Sequence, residues 1–357
     1  MEAPVDEQPL LGHYKYHHER NISSGSYGFV VQATDRSNGE TVAIKFIERS
    51  KEKITKNVER EILNHYSLIH PHVVRFKECF LTDKYLAIAM EYAAGGDMYK
   101  YVIQKAGLGE DHARWFFQQV VLALDYCHKM RISNRDIKLE NTLLDNVEPG
   151  RRPLIKLCDF GYSINELQSM AKTAVGTPGY TAPEVLRSAR NAGYDSKQAD
   201  VWSSGVMLYA MLFCCYPFDK REEQDDPRAY AKIMQRIFKG EYEFPPSKPV
   251  SDECKDILSR ILVVDPTKRI TIAEIQLHPW FRRGMPPDLN LDAYNEHYLR
   301  LSRETGDAAS AIRAVICEAV GGAPPPEPAF RPEARSSGQL VEELAAEFSA
   351  EGFGREP

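Results

Sequence analysis

A chain of 357 residues is longer than one compact core usually requires, which favours a two-lobed unit with a tail over two independent domains. Hydrophobic residues make up 43% and charged residues 27%, ordinary globular usage that excludes disorder along the whole length. With a net charge of -6 the chain lacks the basic excess of a protein built to bind phosphate backbones, so no nucleic-acid partner is expected.

Seven cysteines, scattered except for the Cys214-Cys215 neighbours, show no metal-ligand spacing and suit a reducing compartment. The first nine residues hold two prolines and three acids, which excludes a secretory signal or an amphipathic transit peptide there. The expected location is the cytoplasm, with the nucleus also compatible. Residues 201–218 contain no charge and reach the lower edge of a membrane-span length, but Ser203, Ser204, Gly205, Tyr209 and Pro217 interrupt them. A buried core helix explains this stretch better, and no membrane span is expected.

In chain order, residues 1–13 precede the first regular pattern. Residues 14–92 read as short β runs, including Phe29-Val30-Val31 and residues 41–47, with one helical segment near 58–67. Gly95-Gly96 follows as a natural bending point. From Met98 helical spacing dominates, as in residues 111–129, where Trp115, Phe116, Val120, Leu122 and Leu124 supply an apolar face. The expected fold class is therefore α+β, a small β-rich lobe and a larger helical lobe spanning 93–281.

In the extension 282–320, Leu291, Tyr294, Tyr298 and Leu301 fall at helical spacing, as do Ile312, Val315, Ile316 and Ala319, so two docking helices are expected. Residues 321–338 carry five prolines and read as an extended linker. The last segment, 339–357, places Leu340, Val341, Leu344 and Phe348 on one helical face, and this face is expected to fold back on the small lobe beside the helix near 58–67. An acidic amphipathic tail that docks another protein is the competing reading.

The chemistry is concentrated in five short segments. Ile22-Ser23-Ser24-Gly25-Ser26-Tyr27-Gly28-Phe29-Val30 has small residues whose backbone amides can approach phosphates, although a Gly/Ser segment ahead of a strand is by itself more often a turn. Val42-Ala43-Ile44-Lys45 puts a lysine on a strand seventeen residues after Gly28, and Glu61 on the following helix can hold that lysine by an ion pair. Taken singly, Lys45 reads as an exposed strand lysine and Glu61 as a solvated helical acid. Asn134-Arg135-Asp136-Ile137-Lys138-Leu139-Glu140-Asn141 is followed, eighteen residues after Asn141, by Asp159-Phe160-Gly161. Ala182-Pro183-Glu184 closes the set, with Arg269 as the expected partner of Glu184.

The order and spacing of these segments resemble the protein kinase family across 14–281. The resemblance implies ATP and Mg2+ as cofactors. It assigns ATP contacts to Ile22, Ser23, Ser24, Gly25, Ser26, Tyr27, Gly28, Val30, Ala43, Lys45, Glu91, Tyr92 and Leu143. Asp136 would accept the substrate hydroxyl proton, Lys138 steady the γ-phosphate, and Asn141 and Asp159 ligate magnesium. Lys138 together with Gly176-Thr177-Pro178-Gly179-Tyr180 is similar to the serine/threonine class. Protein substrates with serine or threonine sites are thus implied, with Thr177 and Asp97 on the substrate side and a basic residue three positions upstream of the target.

Arg60-Glu61-Ile62-Leu63-Asn64-His65, Val74-Arg75-Phe76-Lys77-Glu78, Leu139-Glu140-Asn141-Thr142-Leu143-Leu144-Asp145 and Cys158-Asp159-Phe160-Gly161-Tyr162-Ser163 narrow the resemblance. They look like the second subfamily of plant sucrose-nonfermenting-related kinases, a group acting in stress or nutrient signalling. Gly338-Gln339-Leu340-Val341-Glu342-Glu343-Leu344 is similar to the short regulatory helix of that subfamily. By the same resemblance Thr173, with Ser169 as a second candidate, is the activating phosphorylation site, Arg135 its phosphate partner, and an upstream kinase and a protein phosphatase are expected partners.

Two positions depart from the family. Ser23 replaces the first glycine of the phosphate loop, and Asn134 stands where a histidine is usual, an exchange expected to loosen packing beneath Phe160. These departures motivate a rival class, a pseudokinase that binds nucleotide or partners without catalysis. A scaffold working through its tail helices is a third.

Overall fold

The structure is a computed structural model that describes residues 15–25, 28–145, 152–159, 178–188, 194–223, 225–285, 290–304 and 308–321. Two compact units divide it. The first comprises residues 1–70, 74–93 and 300–342, and the second comprises 71–73, 94–299 and 343–357.

In the first unit five antiparallel strands, β1 (Tyr16–Gly25), β2 (Gly28–Asp35), β3 (Thr41–Glu48), β4 (Phe76–Leu81) and β5 (Tyr85–Glu91), form one sheet in the order β1-β2-β3-β5-β4. β3 is apolar on both faces, as a central strand requires. Val42, Ile44 and Phe46 enter a core with Tyr16, Val31, Ala33 and Phe80, and Phe29 stacks on Phe46 at 4.9 Å. Helix α1 (Lys56–Ser67) joins β3 to β4 and buries Val58 and Ile62.

The second unit is largely helical, with α2 (Met98–Gln104), α3 (Glu110–Lys129), α4 (Pro183–Ser188), α5 (Ser196–Phe213), α6 (Ala229–Lys239), α7 (Asp252–Ile261), α8 (Ile272–Leu277) and α9 (Pro279–Arg282). A short antiparallel pair, β6 (Thr142–Asp145) and β7 (Leu154–Leu157), follows α3. The uncharged run lies mostly in α5, which is buried nearly all round and packs on α3 and α7. Gly205 is required there because a side chain would collide with Ile261. Among the described residues no helix is long and apolar enough to cross a membrane. The bending-point glycines are tied down: Gly95 donates its N–H to the Leu144 carbonyl at 2.8 Å and the Gly96 carbonyl accepts from Leu144 at 2.8 Å. The division between the units falls just before them, at Ala93 and Ala94.

Both extension helices form, as α10 (Leu291–Glu304) and α11 (Ala309–Ala319). Asn295 of α10, fully buried, donates to the Leu122 carbonyl at 3.1 Å and to the Asp125 carboxylate at 2.6 Å, fastening α10 to α3. Within the first unit α11 packs against α1, β4 and β5 through Ile312, Ile316 and Ala319. The segment expected to fold back beside α1, with Leu340, Val341, Leu344 and Phe348, lies outside the described residues. Among those described it is α11 that lies against the Glu61-bearing helix.

Candidate active site

The residues expected to hold nucleotide and carry out transfer divide between the two units. In the first, Ile22 and Ser23 lie in β1 and Val30 in β2, with Ser23 paired to Val30 in the sheet register. The backbone at Ser24 and Gly25 continues β1, whereas Ser26 and Tyr27 are outside the described residues. Gly28 starts β2 at φ 151, and a Cβ there would strike the Phe46 carbonyl oxygen, so glycine is obligatory. Lys45 occupies the middle of β3 between Val30 and Ile88 and is half-buried, and Ala43 is buried two residues before it. Glu61 is half-buried on α1, next to the core residue Ile62. At the end of β5, Glu91 accepts the Arg75 amide at 3.0 Å and Tyr92 accepts from Arg20 at 2.9 Å.

In the second unit the loop after α3 brings three predicted residues together. The Asp136 carboxylate takes the Lys138 ammonium at 2.8 Å and the side-chain amide N–H of Asn141. That amide also donates to the Asp136 carbonyl at 3.2 Å, which fixes its orientation and turns the Asn141 oxygen away from Asp136. Asp159 follows β7 with an exposed carboxylate and a left-handed φ of 54. Two hard oxygen donors of this kind fit a divalent cation completed by phosphate oxygens and water. Among the described residues no cluster of three or more His, Cys, Asp or Glu forms a cage for a metal ion. The Cys158 amide donates to the Asn141 carbonyl at 3.0 Å and so joins the two segments. Leu143 lies on β6, opposite Lys156 and bridged to Asp97.

Two anchors were not foreseen. Asp200 of α5 is 1% exposed and accepts the backbone N–H of Asn134 at 3.0 Å, the N–H of Arg135 at 2.8 Å and the His128 ring at 2.8 Å. Tyr180 accepts the Leu139 N–H at 3.3 Å through its hydroxyl, and burial pushes its phenol far above the ordinary range. Signals existed for both: an acid opening an uncharged helical run must be paired if buried, and so must a tyrosine hydroxyl.

The expected ion pair is present: both carboxylate oxygens of Glu184 receive the Arg269 guanidinium, at 2.7 and 2.9 Å. Asp97 caps α2, accepting the Lys100 N–H at 2.8 Å and pairing with its ammonium at 2.9 Å. The Arg135 side chain is exposed. Asn134 is buried, with its side-chain oxygen accepting from the Asp136 N–H at 3.1 Å, and the packing beneath Phe160 that it was expected to loosen lies outside the described residues. Phe160, Ser169, Thr173 and Thr177 lie outside the described residues.

A β-sheet unit with a strand lysine and a helical unit with an aspartate, lysine and asparagine on one loop define a phosphotransferase of the protein kinase class. The protein kinase domain profile matches residues 16–281. Similar proteins include serine/threonine-protein kinase SRK2E of Arabidopsis thaliana, 44% identical over 89% of this chain and 86% of its own length. SRK2A of Physcomitrium patens is 49% identical over 80% and 79%, and SAPK9 of Oryza sativa subsp. japonica 47% over 77% and 74%. The chain belongs to the protein kinase family, in the second subfamily of sucrose-nonfermenting-related serine/threonine kinases. ATP as phosphoryl donor and a divalent cation follow from that membership.

Proposed function

We propose that this serine/threonine kinase transfers the γ-phosphoryl group of magnesium-bound ATP with Asp136 as proton acceptor. The observation that carries this assignment is the Asp136 carboxylate held between the Lys138 ammonium and the Asn141 amide, on a backbone anchored by buried Asp200. Such anchoring suits a reaction that demands alignment and charge neutralisation more than covalent chemistry. An acceptor hydroxyl beside Asp136 would hydrogen-bond to the carboxylate and pass it the proton as its oxygen bonds to the γ-phosphorus and the bond from that phosphorus to the departing ADP oxygen breaks. The Lys138 ammonium, already within reach of that carboxylate, would shift towards the transferred phosphoryl oxygens. Asn141 and Asp159 would hold magnesium, which supplies charge neutralisation when bound. Lys45, supported by Glu61, would grip the α- and β-phosphates.

Purified protein with magnesium, labelled ATP and a peptide substrate tests the assignment. Asp136→Asn is expected to lower kcat by about 10²- to 10⁴-fold, and full turnover in that variant would overturn the assignment. The non-catalytic reading rested on Ser23 and Asn134. Ser23 still pairs with Val30 beyond an irregularity in the β1–β2 ladder between Asn21 and Ser23, and Asn134 is buried and hydrogen-bonded.

Activation is proposed to follow phosphorylation of Thr173, with Ser169 second, through a phosphate that pairs with exposed Arg135. An upstream kinase, a phosphatase and a role in stress signalling in cytoplasm or nucleus belong to the same proposal. Asp97 would trade its exposed partner Lys100 for a substrate arginine, an exchange eased by the small worth of an exposed ion pair. A peptide array without preference for arginine three residues upstream would remove that part.

A further inference from the structure

We propose that Ser23 is a phosphorylation site by which this kinase turns off its own nucleotide binding: a second copy of the chain phosphorylates the Ser23 hydroxyl, and the new phosphate takes Lys45 from the phosphates of the nucleotide. The proposal rests on the roles given above to Lys45, Asp97 and Asp136.

Where the family carries a glycine this chain offers a hydroxyl, and the sheet register decides which way it faces. After the irregularity between Asn21 and Ser23 the ladder runs regularly, with Ser23 opposite Val30, Ser24 opposite Phe29 and Gly25 opposite Gly28. Val30 is in turn opposite Lys45 of β3. Residues directly opposite one another in antiparallel strands share a face, so Ser23, Val30 and Lys45 form one row. That row lies on the face away from the core of Val31, Val42, Ile44 and Phe46. Adjacent strands lie about 4.8 Å apart, which puts the Ser23 and Lys45 backbones about 10 Å from each other. A phosphoserine and a lysine side chain leaning together over Val30 close that gap. The phosphate brings about -1.5 to -2 charges and three acceptor oxygens, the chemistry that Lys45 would otherwise meet on ATP. It would also repel the phosphates of an incoming nucleotide.

The same segment has the form of an acceptor. Ser23 is exposed, and β1 is an edge strand, so among the described residues 20–23 lie in a strand with one backbone edge unpaired. Arg20 stands three residues before Ser23, the place assigned above to the basic residue of a substrate. Its exposed guanidinium bonds to the neutral Gln32 side chain at 2.8 Å and to the Tyr92 hydroxyl at 2.9 Å, partners it can leave at small cost. Ser24 has Asn21 at the corresponding place and lacks this mark. A loop that grips ATP cannot at the same time be laid out as the acceptor, so the donor is a second copy. The Ser23 Oγ atom bonds to the γ-phosphorus of ATP held by that copy, and the bond from this phosphorus to the ADP oxygen breaks. The hydroxyl proton passes to the donor copy's Asp136, and ADP departs.

Two experiments test the two halves. In the first, the full chain carrying phosphoserine at Ser23 is titrated by calorimetry with magnesium-ADP and with adenosine, before and after phosphatase treatment. The phosphate is expected to lower ADP affinity by about 10- to 100-fold and adenosine affinity by less than about twofold, with phosphatase restoring the former. Unchanged ADP affinity would overturn the proposal. So would equal losses for ADP and adenosine, which would mean that the phosphate distorts the loop rather than competing for Lys45. Lys45→Gln in the unmodified chain is the reference. If it leaves ADP affinity intact, the grip assigned to Lys45 is wrong and the proposal falls with it, a failure separate from any at Ser23.

In the second, active chain is mixed with magnesium-ATP and an isotopically heavy Asp136→Asn acceptor, and phosphopeptides of the heavy chain are read by mass spectrometry. Phosphate is expected at Ser23, entering about tenfold more slowly when the acceptor also carries Arg20→Gln. An unmodified Ser23 overturns the proposal if the donor phosphorylates an arginine-containing peptide, and so does a rate indifferent to Arg20→Gln. A donor silent on that peptide as well condemns the Asp136 assignment, and the proposal with it.

Discussion

The carboxylate of Asp200 accepts the backbone N–H of Arg135 at 2.8 Å, and Arg135 stands at φ 65. A left-handed residue of this kind costs about 1–2 kcal/mol, so the loop that presents Asp136 depends on an acid buried in α5. Asp200 serves three donors with two oxygens. Asp200→Asn keeps one acceptor oxygen and introduces an N–H facing other donors. It is expected to lower stability by about 1–3 kcal/mol in urea unfolding and kcat/KM by about 10²-fold. Parent-like kcat/KM would show that the loop holds its shape without Asp200.

The Glu184–Arg269 pair is built for integrity of the helical unit. The Arg269 side chain is fully buried, with Nε donating to the Val263 carbonyl at 3.0 Å and the guanidinium 5.1 Å from the Trp202 ring. Arg269→Lys removes the two-pronged geometry and strands part of Glu184. A loss of about 3–5 kcal/mol is expected by denaturant unfolding. In a cycle of Arg269→Gln and Glu184→Gln, the double variant should lose less than the sum of its single changes, because two neutral amides leave no unpaired buried charge. Strict additivity would mean that the pair is not coupled.

How much was legible follows from chain distance. Lys45, Asp136, Lys138, Asn141 and Asp159 stand in short contiguous segments whose residue types state their chemistry, and the β runs at Phe29-Val30-Val31 and residues 41–47 announced strands. Helices α10 and α11 were visible as periodicity, but which surface α11 would choose was not. That choice depends on Ile312 and Ile316 matching a surface made by α1, β4 and β5. That Asp200 needs partners was legible from an acid opening an uncharged run, but which partners was not, because Asn134 and Arg135 lie more than sixty residues away in sequence and meet it through their backbone. The volume of Asn134 is readable from its residue type, whereas its hydrogen bond with the Asp136 N–H is not.

α11 should act as a brace on the Glu61-bearing helix. Ile312 and Ile316 are each 5% exposed, and Arg49 donates to the Glu318 and Ala319 carbonyls at 3.0 and 3.4 Å, satisfying the helix C-terminus. Ile316→Ala is expected to weaken the docking by about 2–5 kcal/mol, and Arg49→Gln by about 1–2 kcal/mol. Hydrogen exchange should rise across α11 and α1 in that order, while β1 and β2 stay protected. Unchanged exchange in α1 with a freed α11 would show that α1 holds its place unaided.

His72 sets an acid limit on stability. It is 4% exposed; burial first and the neighbouring Lys156 charge second depress its pKa to about 3, outweighing the opposing hydrogen bond with the Ile155 carbonyl at 3.3 Å. Unfolded, the ring titrates near about 6.5. Above that pH both states are neutral here and the group contributes no pH dependence. As pH falls below about 6.5 the unfolded chain takes up a proton that the folded chain refuses, so stability drops, at most by about 1.4 kcal/mol per pH unit, until the folded ring titrates near 3. Stability is thus retained above the unfolded pKa and lost on the way down to the folded one. His72→Gln cannot titrate and can still offer an N–H to the Ile155 carbonyl. Urea unfolding between pH 7 and pH 4 should show a slope in the variant shallower by about one proton. The variant should therefore gain on the parent by about 2 kcal/mol between pH 6.5 and pH 5. Parallel stability curves over that range would mean that His72 takes up its proton in the folded protein as readily as in the unfolded chain.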